Sequence, residues 1–462
     1  MKWISRYFLL SVLLVFAADT LTAQTPAQRG QHLVKRKETI FGIARQYGIT
    51  IEELAKANPA MNNPGYELKK GDVLNIPFPT GGTAESGAKG GTAAAGTAAQ
   101  AANPAPVSQA AKGKLRLGVM LPLHDVNGDG KRMVEYYRGV LMACDSLKKV
   151  GISVDVHAWN VPEEGDISAT LKEKGAKDCD LIIGPLYSKQ VKPLAEFAAQ
   201  NNIKVLIPFS INSQEVLTNR QLFQVYQSQN DFNDAVVNRF IDRFKGHHVV
   251  IIDCNDSTSD KGSFTASLRR RLEVQGSQYS ITNLKSSDQN FLKGFSTTQR
   301  NVVVLNTARS PELNAAIAKL NSLKLNTPNL NITLFGYTEW LMYTKFQLEN
   351  FYKFDVYIPS AFYTNPLSSA TERIQQKYRW NFHQDMQQAL PRFAITGFDH
   401  AMFFLLGLHR NGADFNGMLG SVNYTPIQTP LRFERIGNGG LKNRSLLFVH
   451  YKPEHQVELI SY

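Results

Sequence analysis

Cysteine is scarce in this chain: there are three in 462 residues, Cys144, Cys179 and Cys254. An odd number leaves at least one thiol unpaired unless it bridges to another chain. The helices expected to carry Cys144 and to end near Cys179 belong on opposite faces of a sheet, which argues against pairing those two; buried free thiols are the expectation. No Cys or His spacing suits a metal. Catalytic signatures are also missing. There is no G-x-S-x-G elbow, no H-E-x-x-H and no P-loop, and His247-His248 merely precede a strand. The chain is therefore expected to be neither an enzyme nor a cofactor carrier, and a cell-wall hydrolase would need a nucleophile or paired carboxylates that the sequence does not assemble. Helix-turn-helix, zinc-finger and aromatic RNA-binding patterns are absent, which leaves nucleic acid without a reader. Asp125-Val126-Asn127-Gly128-Asp129-Gly130 opens like a calcium loop, but the twelfth position is Tyr136 where a bidentate Glu is required, so it reads as a polar turn into a helix.

What is present begins with an export signal. Lys2 and Arg6 precede an apolar run over 7–18, and Leu21-Thr22-Ala23 offers a small-residue cleavage site before Gln24. Residues 1–23 thus read as a cleavable signal peptide, with an apolar core too short to span a bilayer. No Cys adjoins the cleavage point, so no lipid anchor is indicated. The remainder is expected in the periplasm. The formal net charge of +12 and pI of about 9.4 suit anionic envelope surfaces, although solvated Lys and Arg account for most such balances.

Residues 32–77 form a compact unit of order βααβ. A short strand leads to a helix over about 39–47 with Ile40, Ile43 and Ala44 inward and Gly48 as its C-cap. Thr50 and Glu53 make a capping box for a second helix that ends near Asn58-Pro59, and Gly71-Asp72 turns into the strand 73–76. Lys37-Glu38-Thr39-Ile40, Ile43-Ala44-Arg45-Gln46-Tyr47-Gly48, Asn58-Pro59 and the closing Gly71-Asp72-Val73-Leu74-Asn75-Ile76-Pro77 together resemble a LysM domain, a binder of N-acetylglucosamine-containing glycans such as peptidoglycan. Lys37-Glu38 replaces the family's Gly-Asp beside the glycan groove. The resemblance implies glycan contacts from Thr39, Ile40, Asn58, Pro59, Met61 and Asn62, and a wall-associated protein.

From 78 to 113 the composition shifts to Gly, Ala, Thr, Ser and Pro, which builds no core and reads as a flexible linker. Residues 114–462 alternate strands and helices. The stretch 180–210 is the clearest: a strand ending on Gly184-Pro185, a helix with Val191, Leu194, Ala195 and Ala198 on one face, and a second strand ending at Phe209-Ser210. Such βαβ units imply a parallel, doubly wound sheet with ligands at the carboxyl ends of its strands. A crossing near 227–231 opens a second lobe. Lobe 1 is expected at about 114–228 and 361–430, lobe 2 at about 229–360 and 431–462.

This pattern resembles the type I periplasmic binding proteins, in their amino-acid-binding (Leu/Ile/Val) branch. The resemblance implies a ligand cleft at Tyr187, Ser188, Phe209, Ser210 and Asn212, with Ser188 and Ser210 holding a carboxylate. The second lobe would add Thr307, Arg309, Tyr337 and Glu339. Arg309 points to an anionic ligand and Glu339 to a cationic group, while Phe209, where the family has a small residue, could fill the pocket. Two functions follow: an exported, peptidoglycan-bound protein that binds a small amino-acid-like or anionic ligand, or a non-transport envelope scaffold or activator of peptidoglycan synthesis that uses the same fold for contacts with an envelope protein partner.

Overall fold

The computed structural model describes residues 28–35, 38, 40–47, 49, 51–62, 66, 68–77, 114–418 and 420–462. The signal peptide, the linker, Lys37, Thr39, Gly48 and Thr50 lie outside the described residues. The chain divides into two compact units.

In the small unit, β1 (Gln28–Leu33) pairs antiparallel with β2 (Val73–Pro77), and α1 (Ile40–Tyr47) and α2 (Ile51–Ala57) lie between them in sequence, followed by a 3-10 turn, Pro59–Asn62. This is the expected βααβ order. Val34, Ile43, Ala44, Ile49, Leu54, Leu74 and Ile76 close one core. His32 is buried at its edge, with Nε2 2.8 Å from Glu38 and Nδ1 2.7 Å from the Tyr47 hydroxyl. The Lys35 backbone N–H, and then the His32 ring, hold the Glu38 carboxyl below its usual range.

The large unit is two α/β lobes. The first is built from β3 (Leu115–Leu121), α3 (Gly128–Lys149), β4 (Val154–Asn160), α4 (Ile167–Leu171), β5 (Leu181–Ile183), α5 (Val191–Asn201), β6 (Lys204–Ile207) and β7 (Leu222–Gln224). The second follows with α6 (Gln229–Arg243), β8 (His248–Asp253), α7 (Gly262–Val274), β9 (Tyr279–Asn283), α8 (Asp288–Leu292), β10 (Asn301–Leu305), α9 (Ser310–Asn326), β11 (Ile332–Phe335), α10 (Thr344–Lys353) and β12 (Val356–Ser360). The chain then returns through α11 (Ser369–Phe382), α12 (Phe393–Asn411), β13 (Phe433–Arg435) and β14 (Leu441–Asn443), and ends in the hairpin β15 (Leu447–Lys452) and β16 (Gln456–Ser461). The sheets have seven strands each, in the orders β13-β14-β7-β6-β5-β3-β4 and β16-β15-β12-β11-β10-β8-β9. Central strands such as β10, NVVVL, are buried along their whole length, as parallel strands covered on both faces must be.

One expectation changes. The last crossing falls later than 430, because β14 pairs in parallel with β7 of the first lobe; residues 431–443 therefore belong with lobe 1, and lobe 2 regains the chain only at β15. The segment 125–130 is, as expected, a polar turn into a helix: α3 begins at Gly128, and the Asn127 side chain accepts the Gly130 N–H at 2.8 Å as its N-cap. Cys144 packs with one face of the first sheet and Cys179 with the other. All three cysteines are free, and burial pushes each thiol up to about 12. Among the described residues no helix is long and apolar enough to cross a membrane.

Helices α3 and α12 meet backbone to backbone. A Cβ on Gly139 would sit 1.9 Å from the Ala394 carbonyl oxygen, and one on Gly397 would sit 2.1 Å from that of Tyr136. Glycine within a helix costs roughly 1 kcal/mol of propensity, so its presence on both sides of one crossing reflects this approach. Gly139→Ala is accordingly expected to destabilise the protein by about 1–3 kcal/mol despite the better helix former, measured by denaturant unfolding. Gly262→Ala, where the added methyl meets nothing within 4 Å, serves as the neutral control.

Candidate functional site

The carboxyl ends of β5 and β6 carry the first group of expected residues. Gly184 ends β5 at φ +136 with its Cα against the Met120 carbonyl, where a Cβ would come within 2.2 Å; only glycine fits, and the turn beyond it presents Tyr187 and Ser188. The Ser188 and Ser210 hydroxyls are 2.7 Å apart. Ser210 is buried, Ser188 and Asn212 are exposed, and the Tyr187 hydroxyl reaches Asp129 at 3.4 Å. Phe209 is engaged by other rings. It is half-buried in an aromatic cluster, stacked on Tyr226 at 5.9 Å, edge-on to Tyr136 at 5.5 Å and tilted against Phe393 at 5.7 Å. Beneath it the Tyr136 hydroxyl meets His400 Nδ1 at 2.8 Å, and complete burial holds that imidazole down at about 3, hence neutral.

In the second lobe the expected residues form two further groups. Thr307, fully buried, donates to Asp256 Oδ2 at 2.7 Å, and Arg309 donates to Asp256 Oδ1 at 3.3 Å and to the Thr258 hydroxyl at 3.1 Å. Glu312 lies 3.7 Å from the same guanidinium. Hydrogen bonds from the Thr258 and Thr307 hydroxyls, with Arg309 adding charge, hold the Asp256 carboxyl at about 2. Arg309 is thus not the unpaired cation that an anionic ligand would require; its charge is met within the chain.

The third group surrounds Tyr337 and Glu339. The Tyr337 hydroxyl donates to the Leu305 carbonyl at 2.5 Å, and its ring meets Phe264 edge-on at 5.6 Å. Glu339 already has its cation: Lys261 Nζ, 2.7 Å away, which also contacts Asp260 at 3.1 Å and lies 5.5 Å from the Tyr337 ring centre. Glu339 and Asp260 raise the Lys261 ammonium against the opposing effect of burial. Tyr337, Glu339 and Lys261 line a cavity of about 240 Å³ with Tyr226, Gln227, Asn233 and Phe264. None of the lobe 1 residues expected to bind ligand lines it. Lys261 and Asp256 were missed from sequence because a lysine before a helix and an aspartate in a loop carry no distinguishing spacing.

In the small unit, Asn58 is spent on structure. Its Nδ2 donates to the carbonyls of Leu54 at 2.9 Å and Asn75 at 2.7 Å, and its Oδ1 accepts the Asn75 N–H at 2.7 Å. Pro59 is exposed and opens the 3-10 turn, Met61 and Ile40 are half-buried against the core, and Asn62 ends the turn. Thr39 lies outside the described residues.

Residues 32–77 match the LysM domain family model. No curated protein matches the chain in sequence. Among solved structures, a putative branched-chain amino acid ABC transporter from Rhodospirillum rubrum aligns at TM-score 0.51 and 14% identity, covering 75% of this chain and all of its own. A branched-chain amino acid ABC transporter periplasmic ligand-binding protein from Burkholderia xenovorans LB400 aligns at TM-score 0.46 and 12% identity, covering 75% of this chain and 94% of its own. At such identities the likeness is one of fold. The chain is a LysM domain, at 32–77, followed by a large domain with the fold of the type I periplasmic binding proteins.

Proposed function

We propose that this is a peptidoglycan-bound protein of the cell envelope whose two-lobed domain works through contacts with another envelope protein rather than by carrying a free amino acid. The LysM domain supports the first half of this reading. The observation that carries the second half is that the groups expected to grip a zwitterion are engaged with one another: Arg309 with Asp256, and Glu339 with Lys261. Phe209, meanwhile, is held in an aromatic cluster with Tyr136, Tyr226 and Phe393. An amino acid entering such a cleft would compete with these pairs, whose Asp256 and Lys261 members are buried and so are unfavourable to leave uncompensated. The export signal read in residues 1–23 supports a place outside the cytoplasm, and binding through the LysM domain would keep the large domain at the wall.

A second reading, a small polar ligand in the cleft, is favoured by one feature. Ser188 and Ser210 stand 2.7 Å apart at the carboxyl ends of adjacent parallel strands, where α/β sheets commonly bind ligands.

Three outcomes are expected. The full chain co-sediments with purified peptidoglycan, and a chain lacking 32–77 does not; equal sedimentation of both would remove the LysM domain from the account. The thermal midpoint of the full chain stays unmoved by millimolar amino acids. A rise of several degrees, abolished by Ser188→Ala, would establish the second reading instead, since a ligand stabilises only the state it binds. The Asp256 pairing also has a pH signature. A carboxyl depressed from 3.8 to about 2 contributes stability above its unfolded value and loses it as pH falls through the folded one. The midpoint of Asp256→Asn should therefore lie below wild type above pH ~4.5, with the gap closing towards pH ~2 in thermal unfolding.

A further inference from the structure

The last strand, β16, forms one edge of the lobe 2 sheet. Its register with β15 runs unbroken from Lys452↔Gln456 to Leu447↔Ser461, and next to it Leu446 and Tyr462 exchange N–H···O=C bonds at 2.9 and 3.4 Å. In an antiparallel ladder such exchanging pairs alternate with non-exchanging ones. Ile460, Glu458 and Gln456 therefore turn their backbone groups to β15, while Val457, Leu459 and Ser461 turn theirs to the open side. An open edge accepts another strand unless lysine, proline or a bulge guards it. The sequence QVELIS and its unbroken register contain none of these. One edge of the other sheet, β13, is only three residues long and carries Glu434 and Arg435.

One face of the β16 edge is largely apolar. Tyr451, which opposes Val457, meets Phe351 and Tyr352 of α10 at 5.4 and 5.9 Å, so the α10 face of the sheet carries Val457, Leu459 and Ser461. Leu459 is 44% exposed, and Phe346 on α10 is 78% exposed. Three residues after Phe346, Glu349 reaches His455 in the β15–β16 turn at 3.3 Å, and Tyr352, three further on, meets the same ring at 4.8 Å. This side of α10 thus looks towards the hairpin. The single charge of β16, Glu458, lies on the opposite face, where His450 at 3.3 Å and Lys452 at 3.4 Å meet its carboxylate.

These features fit a second copy of the same strand. A two-fold axis normal to the sheet at Leu459 sets Leu459 opposite its own counterpart, Val457 opposite Ser461, and Glu458 opposite Ile460. Every outward backbone group is then matched, which gives about six hydrogen bonds between the copies. The two leucines and the Phe346 sides of both α10 helices come to the same face of one joined sheet. The neighbouring register, centred on Glu458, would instead set two carboxylates against each other, which is unfavourable.

We propose that this chain forms a symmetric dimer by pairing β16 with β16 of a second copy, so that the lobe 2 sheet continues across the two-fold axis. The dimer goes beyond the scaffold reading, which specifies no oligomeric state. Two chains joined in this way carry two LysM domains, and attachment of both to one wall gains by avidity.

The test is sedimentation velocity on the full chain from micromolar to submillimolar concentration, where twice the chain mass is expected at the upper end. Leu459→Lys places two like charges opposite each other at the axis and is expected to weaken dimerisation by about tenfold or more. Leu459→Pro, which removes an N–H that β15 does not use, should act in the same direction. Both should keep the circular dichroism and thermal midpoint close to wild type. Ile281→Lys, at an exposed position on the other edge of the same sheet, should leave the dimer intact. Leu459→Cys should form an interchain disulfide under mild oxidation, because the Cα atoms of an exchanging pair lie about 5.5 Å apart; Glu458→Cys should not. A monomer throughout the range overturns the proposal, and so does a dimer indifferent to both Leu459→Lys and Leu459→Pro. A dimer that Leu459→Lys dissociates but that Leu459→Cys does not cross-link overturns the register. A complex that forms only with another envelope protein and is lost in Leu459→Lys gives the edge to that protein and overturns self-pairing. At limiting concentration Leu459→Lys should also co-sediment with peptidoglycan less than wild type. Mass alone decides the pairing, so failure of the peptidoglycan reading would leave the dimer standing.

Discussion

A single buried carboxylate organises the region where the two lobes join. Asp399, fully buried within α12, accepts the Tyr424 hydroxyl at 2.7 Å and the backbone N–H groups of Ile427, Gln428 and Thr429 at 2.7 to 3.0 Å. Burial pushes its pKa up to about 6, against the pull of these four donors. At neutral pH it is therefore ionised and fully hydrogen-bonded, the condition under which a buried charge is tolerated. The loop it fixes presents Gln428 to the second crossing. The Gln428 carbonyl accepts the Tyr363 N–H at 3.0 Å, and its side chain bonds the Thr364 and Thr396 hydroxyls. One acidic residue in lobe 1 thus sets the path of the chain leaving lobe 2.

That arrangement bears on how the lobes can move. Rigid-body closure needs crossings that flex while their anchors stay put. Here the second crossing is anchored through Asp399 and Gln428, and the first meets the third through Gln227 and Ser445. Phe209 adds a further tie by stacking on Tyr226. The aromatic cluster around Phe209 is thereby also a brace on the first crossing.

Much of the architecture was legible in the sequence. Continuous apolar runs such as 302–305 and 181–183 read as strands covered on both faces, and the capping box and Gly-Asp turn read as the small βααβ unit, because these are local signals. The late crossing was not legible: β13 and β14 are three-residue strands, FER and LKN, with too little alternation to show a face, and their place is set by pairing with β7, some two hundred residues earlier. Asp399 was hidden in the same way. Its signal was one acid in an otherwise apolar helix, FAITGFDHAMFFLL, and what explains that acid is a loop almost thirty residues downstream.

The candidate site was legible as a set of residues and not as a set of partners. Ser188 with Ser210, and Tyr337 with Glu339, do lie together at strand ends as the fold required. What sequence spacing could not reveal was that Asp256 and Lys261, two loop residues without a motif, would neutralise the charges expected to face a ligand. The distinction matters chemically. A cleft with unpaired Arg309 and Glu339 would select a zwitterion by charge, whereas one in which both are paired can discriminate only by shape and by neutral hydrogen bonds.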